Sequence, residues 1–500
     1  MAERGAATTG SLRAAAPVLG LLLFATYAYF LPGLAWNEAS RFNLVRSLVE
    51  RQALDIDPYH RNTEDKALFG GHYYSDKAPG AAFLAVPAYG AYYGLLRLLD
   101  RPLPQVVAKS ELLGVAPVGG EDPVLVNAAF RRGLYLSNLA TNGVAAVALG
   151  LGFFLLLGRL GVEPRLALLF TSALAFGTLV FPYATLFYGH VLAAAALFGV
   201  FLLFRPFRAN LEPLGRGRLL GAGGLAGLAV LCEYPAVLGA AALAVFVIAR
   251  SGHGQRWRTV AWFVAGAAPF AALLLGYQAA AFGSPFSTGY AKVANPTFAE
   301  GMARGILGVS WPRPGALFGM LFGRARGLLY VGPVLVFGFI GLFRRASWEP
   351  FVAERRLCLV VVLAFLLMSA GYYMWWGGAA LGPRHVIPML PFVCLAMPFA
   401  LGPGRWWRWA FAGLLAVSMA NFLFATAVSP LADRGVDVLF DHVYPPLVEG
   451  RVALLSGAAN LGMSLGLAGP KSLLPLVGLW VLGFVNLWST LRPSAGAAEP

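Results

Sequence analysis

Apolar runs of about a bilayer's thickness recur from residue 15 to residue 491, and short arginine-bearing segments separate many of them. They lie near 15–35, 133–158, 164–182, 188–205, 219–250, 258–282, 327–344, 357–376, 384–401, 407–427 and 471–491. A helix rises about 1.5 Å per residue, so roughly 20 apolar residues cross the hydrocarbon of a bilayer. The run at 219–250 is too long for one crossing, and Glu233-Tyr234-Pro235 interrupts it. Proline removes an N–H and clashes with the preceding turn, so this run reads as two short spans, twelve in all. The expected fold is an all-α polytopic membrane bundle over 15–491, with tails at 1–14 and 492–500.

Composition agrees. Hydrophobic residues make up 58% of the chain and charged residues 12%, against about 25% charged in ordinary soluble domains. The net charge of +15 does not mark a nucleic-acid binder, because the basic residues sit at the ends of apolar runs. The bias of arginine and lysine toward cytoplasmic loops explains that placement. Lysine is confined to Lys66, Lys77, Lys109, Lys292 and Lys471. With abundant alanine and glycine, this fits a bacterial protein from a high-GC genome. Cys232, Cys358 and Cys394 are scattered among apolar residues and form neither a disulfide framework nor a metal motif. The run Val18–Leu34 lacks a persuasive cleavage site and reads as an uncleaved first span.

Charge also orients the bundle. Arg159, Arg165, Arg205 to Arg218, Arg250 to Arg258, Arg344 to Arg356, Arg405, Arg408 and Arg492 share one side only if 81–99 does not cross. That side is expected to be cytoplasmic, with 81–99 half-embedded in the outer leaflet. Outer loops then fall at 36–132, 283–326 and 428–470, with turns at 183–187, 233–235 and 377–383. Nearly all the unusual polar residues lie on this outer side.

The first outer loop opens Trp36-Asn37-Glu38. Phe42, Val45, Leu48 and Val49 then recur at helical spacing among Arg41, Arg46, Glu50 and Arg51, which predicts an amphipathic helix on the bilayer surface. Glu38 is either a helix N-terminal carboxylate favoured by the macrodipole or a catalytic carboxylate that takes an acceptor proton. Asp55 and Asp57 share a side in an extended backbone. They either hold a divalent cation or the acceptor, or Asp57 merely starts an Asp-Pro turn. In Tyr73-Tyr74-Ser75-Asp76-Lys77-Ala78-Pro79, Lys77 enters a half-buried helix, where it snorkels to water or meets a lipid phosphate.

His190 follows Tyr183-Ala-Thr-Leu-Phe-Tyr188-Gly189 at an outer turn and is structural or substrate-binding. Glu233, beside Tyr234, is an acid where two spans meet, costly unless wet or paired. Arg384 and His385 follow Tyr372-Tyr373-Met-Trp375-Trp376-Gly377-Gly378 and Gly382-Pro383. Arg384 runs against the charge bias, and its fork matches phosphate oxygens.

In order and sidedness these pieces resemble the GT-C superfamily of polyprenyl-phosphate-sugar transferases, close to glycosyltransferase family 39. That group includes protein O-mannosyltransferases and resembles the lipid A aminoarabinose transferases. Glu38 matches the acidic residue after the first span, and Asp76-Lys77-Ala78-Pro79 matches a Lys-Pro-Pro-like motif. His190 stands where many relatives carry Asp, and Gly382-Pro383-Arg384-His385 resembles bacterial members. The resemblance spans roughly 10–400.

It implies a GT-C-like bundle in the bacterial inner membrane that inverts the anomeric carbon on its outer face. The donor is a polyprenyl-phosphate-linked sugar within membrane lipid, and the acceptor is a glycan, lipid or protein. Glu38 would be the base, and Asp55 and Asp57 are the further candidate carboxylates that the residues themselves offer. Tyr74, Lys77, Arg384 and His385 would hold the donor phosphate. Asn37, Tyr73, Asp76, His190, Glu233 and Tyr234 would contact substrate. The residues call for no particular cofactor, and a divalent cation is compatible. The rival class is a transporter or flippase of lipid-linked sugar, against which stands the lack of paired interrupted segments in two related halves.

Overall fold

The computed structural model describes residues 2–31, 33–108, 124–204, 206–207, 214–349, 351–402, 404–455 and 457–491. The tail at 492–500 and the stretch 109–123 of the first loop lie outside the described residues. The chain is an all-α polytopic membrane protein, and its short strands form two-stranded pairs among the described residues. Helical segments stand over every expected span. They include α1 (Ala2–Ala28), then α2 (Trp36–Arg46) and α3 (Gly80–Leu98) in the first loop. Next come α4 (Ala128–Asn138), α5 (Val144–Arg159), α6 (Pro164–Phe176) and α7 (His190–Leu203). After these run α8 (Arg216–Cys232), α9 (Ala236–Arg250) and α10 (Arg256–Phe282). The remainder includes α11 (Pro296–Met302), α12 (Pro314–Phe322), α13 (Leu335–Phe343), α14 (Val352–Gly371), α15 (Arg405–Val428) and α16 (Leu474–Thr490). Among the described residues five segments are long and apolar enough to cross a membrane alone: Gly10–Ala28, Ala128–Arg159, His253–Phe282, Arg405–Val428 and Gly469–Thr490.

The break between α8 and α9 falls at Glu233-Tyr234-Pro235, where proline ends the ladder. The expected span 384–401 is not a regular helix. It runs as a 3-10 turn over Arg384–Met389, a short helix over Leu390–Cys394 and another 3-10 turn over Met397–Ala400. Pro388, Pro391 and Pro398 remove three donors there. Every residue from Val386 to Met397 is buried, so protein rather than lipid surrounds the irregular backbone, as membrane depth demands.

Between α8 and α10, backbones approach too closely for side chains. A Cβ on Gly223 would lie 1.8 Å from the Phe263 carbonyl oxygen, and one on Gly266 would lie 2.1 Å from that of Leu220. Small residues give such contacts in lipid, where the hydrophobic effect supplies no attraction between helices.

The first loop builds a compact cap. Phe42 packs edge-on to Tyr89 and Phe130 at 5.0 and 4.9 Å, joining α2, α3 and α4. The helix α2 differs from the expected half-solvated surface helix, because every residue from Asn37 to Arg46 is buried. Its polar residues meet protein instead: Asn43 bonds Asn62 and Arg46 bonds Glu50. Strands β1 (Lys66–Phe69) and β2 (His72–Ser75) pair antiparallel, with Phe69 opposite His72 and Lys66 opposite Ser75. Gly70 and Gly71 both have positive φ, +62° and +84°, as tight hairpins of matching twist require. The second strand runs directly into Asp76, Lys77 and α3.

Candidate active site

The first loop, the turns before α7 and α9, and the segments around α11, 372–385 and 431–434 enclose one cavity of about 790 Å³. Its lining includes Asn37, Asp76, Lys77, His190, Glu233, Arg384 and His385, residues that lie up to 348 positions apart between Asn37 and His385. These segments are the ones that charge bias placed together on one side of the bundle.

Lys77 sits at the base of the hairpin, its Nζ 3.0 Å from Asp65 Oδ2 and 3.0 Å from Asp76 Oδ2. Burial works against the ammonium, but Asp65 and Asp76 outweigh it and hold the Lys77 pKa above its usual value. Ser40 Oγ meets Ser75 Oγ at 2.9 Å and fastens α2 to the hairpin. On the next face of α2, Arg41 donates to Glu233 Oε1 at 2.7 Å and to the Ala78 carbonyl at 3.0 Å. Arg41 also donates from Nε to Asn37 Oδ1 at 3.1 Å. Glu233 Oε1 lies 3.5 Å from His190 Nδ1. The Gly189 backbone permits this, since a Cβ there would lie 2.6 Å from Glu233 Oε1.

Arg384 is different. Its Nη1 donates to the Tyr188 hydroxyl at 3.3 Å, and its guanidinium lies 5.1 Å from the Tyr188 ring centroid. Its Nε is buried without a partner, and among the described residues no carboxylate oxygen stands within 4.0 Å of it. His385 packs edge-on to His190 and Tyr372, and its Nε2 also lacks a partner. Charge in the cavity is therefore separated. Arg41 and Glu233 neutralise each other and two carboxylates share Lys77; of the lining arginines with no carboxylate oxygen within 4.0 Å among the described residues, Arg304 and Arg434 are exposed and Arg384 is the partly buried one.

Six expected site residues lie elsewhere. Asp55 pairs with Arg51 at 2.7 Å, and Asp57 pairs with His72 at 2.7 Å and accepts from the Tyr73 N–H. Both carboxylates are thus spent on the outside of the hairpin. No cluster of three or more His, Cys, Asp or Glu fit to hold a metal ion occurs among the described residues. Tyr73 stacks on His60, Tyr74 packs against Phe282 and Tyr234 against Tyr290, and none of the three is a lining residue of the cavity.

Glu38 also lies off the lining, on the face of α2 turned toward 183–188. Its Oε1 accepts from the Phe187 N–H at 3.4 Å and its Oε2 has no partner. Burial pushes its pKa from 4.5 up to about 8, so at neutral pH it is mostly a neutral acid. A folded pKa above the unfolded one means that the folded chain retains a proton between about pH 4.5 and 8. Stability tied to Glu38 is therefore full below that window and is lost as pH rises through it. The melting temperature in detergent is expected to fall from pH 5 to pH 9, and Glu38→Gln should flatten that decline. Parallel profiles for both proteins would count against a protonated Glu38.

The lining adds residues outside the expected set, chiefly Asp65, Arg41, Tyr188 and Tyr290. Asp65 was within reach of the sequence. The Gly70–Gly71 turn implies a hairpin, and its register sets Asp65 opposite Asp76.

No protein-family model matches the chain, and no curated protein matches it. Among solved structures it is similar to the apo crystal structure of ArnT from Cupriavidus metallidurans, at 15% identity and a TM-score of 0.48. That alignment covers 97% of this chain and 76% of the other.

Proposed function

We propose that this protein is a glycosyltransferase that moves a sugar from a polyprenyl-phosphate donor to an acceptor hydroxyl or amine at the outer face of a bacterial inner membrane. One observation carries the reading: Arg384, without a carboxylate partner, shares a cavity with Lys77 and its two aspartates. A phosphate supplies the anion that Arg384 lacks, and the guanidinium fork suits its oxygens. The outer-face assignment rests on the arginine-rich turns at the opposite end of the bundle. Nucleotide sugars are cytoplasmic, so an outward site calls for a sugar already carried on lipid.

In this reading the acceptor oxygen or nitrogen attacks the anomeric carbon as the carbon–oxygen bond to the lipid phosphate breaks. The bonding pair leaves with the phosphate, and Arg384 and Lys77 stabilise its growing charge. The acceptor proton passes to a carboxylate. Asp65 is our assignment, because its side chain is 14% exposed and Asp76 is 3% exposed. It also stands at the end of the cavity where two carboxylates share one ammonium. Glu38 instead supports the turn that carries Tyr188 and His190.

Purified protein given a polyprenyl-phosphate sugar and a panel of acceptors is expected to release free polyprenyl phosphate. Lipid movement between leaflets of proteoliposomes, with the sugar bond intact across the panel, would instead identify a flippase.

A further inference from the structure

Arg326 lies just before the helical segment over 328–343 and is 1% exposed. Its guanidinium is spent on backbone. Nε donates to the Trp376 carbonyl at 3.0 Å, Nη1 to Ala325 at 2.9 Å, and Nη2 to Gly378 and Ala432 at 3.0 and 2.9 Å. Three stretches distant in sequence thus meet on one planar group: 325–326, 376–378 and 432. Two of them form a wall of the cavity, which Trp376, Gly378, Leu431, Asp433 and Arg434 line. The Ala380 N–H also donates to the Ala432 carbonyl, and Arg434 lies over the Trp376 ring at 4.6 Å.

The loop that Arg326 grips is the one against which Arg384 rests. A Cβ on Gly377 would come 3.2 Å from Arg384 Cγ, and one on Gly378 would come 4.0 Å from Arg384 Nη2. Both glycines have positive φ, +81° and +76°, so the loop's path is one that other residues adopt poorly. A backbone of this kind needs outside support, and the fork's two contacts to the Trp376 and Gly378 carbonyls supply it.

From this we infer that Arg326 is a positioning residue for the donor phosphate: it holds the 376–378 loop and thereby aims Arg384 into the cavity. The inference rests on the reading of Arg384 as the phosphate ligand. Arg326 itself touches no substrate. Loss of its fork lets the loop relax and spreads Arg384 over several orientations, of which few meet the phosphate. Lysine, with one compact ammonium, cannot span the same carbonyls.

The test is a double-mutant cycle on binding of polyprenyl phosphate to the full-length protein in detergent. Arg326→Gln is expected to weaken binding roughly tenfold in the wild-type background and to change little in an Arg384→Ala background. The KM for acceptor should stay near wild type, which general unfolding would not allow. Equal loss in both backgrounds, or no loss in either, overturns the inference. If Arg326→Gln does not fold, Arg326→Lys carries the same comparison, and wild-type affinity in that variant likewise overturns it. Failure of the phosphate reading shows separately, as an Arg384→Ala variant that binds polyprenyl phosphate as well as wild type.

Discussion

Arg384→Ala is expected to weaken binding of polyprenyl phosphate by roughly 10²-fold or more while leaving acceptor affinity near wild type. The size follows from where the group sits. Arg384 is held by the Tyr188 hydroxyl and ring and by the glycine loop, not by a carboxylate. No internal ion pair has to break when phosphate arrives, so most of the charge–charge attraction counts toward binding. Lys77 is the contrast. Two aspartates already hold its ammonium, and an incoming phosphate has to compete with them. Lys77→Ala is therefore expected to cost less than Arg384→Ala. Titration of each variant with polyprenyl phosphate checks the order. A larger loss from Lys77→Ala would move the anion site to the hairpin.

Asp65→Asn should lower kcat by roughly 10²–10⁴-fold, the usual contribution of a general base, with donor affinity little changed. Asparagine keeps the shape and the contact with Lys77, and Asp76 remains to neutralise the ammonium, so folding should survive. Glu38→Gln should stay within about tenfold of wild type, because glutamine mimics the protonated acid that burial favours. Single-turnover rates of polyprenyl phosphate release separate the two. If Glu38→Gln is dead and Asp65→Asn active, the proton acceptor is Glu38, and α2 must turn to present it.

What the sequence revealed followed the range of each interaction. The places of the helices were legible because long apolar runs admit little else, and the break at Glu233-Tyr234-Pro235 was legible because proline acts on its own turn. Lys77, Glu233 and Arg384 stood out as charges in places where charge is expensive. The irregular path of the apolar run at 384–401 was not legible, since hydropathy weighs apolarity and ignores the donors that Pro388, Pro391 and Pro398 lack. The burial of α2 was hidden for a different reason. Arg41 and Arg46 follow the pattern of a solvated face, and nothing near Arg41 announces a partner 192 residues away. Glu38 could be placed at the end of the first span, but sequence spacing does not say that Asn37 and Arg41 take the cavity face while Glu38 takes the other.

The two-residue Gly70–Gly71 turn also constrains how this segment can change over evolution. Asp65 and Asp76 reach Lys77 from opposite arms of the hairpin, and successive residues of a strand alternate faces. One residue gained or lost in a single arm would send one carboxylate to the far side while the other stayed. The hairpin tolerates growth or shrinkage only when both arms change together and the alternation is kept. Length variation in a lineage should therefore be strictly paired here.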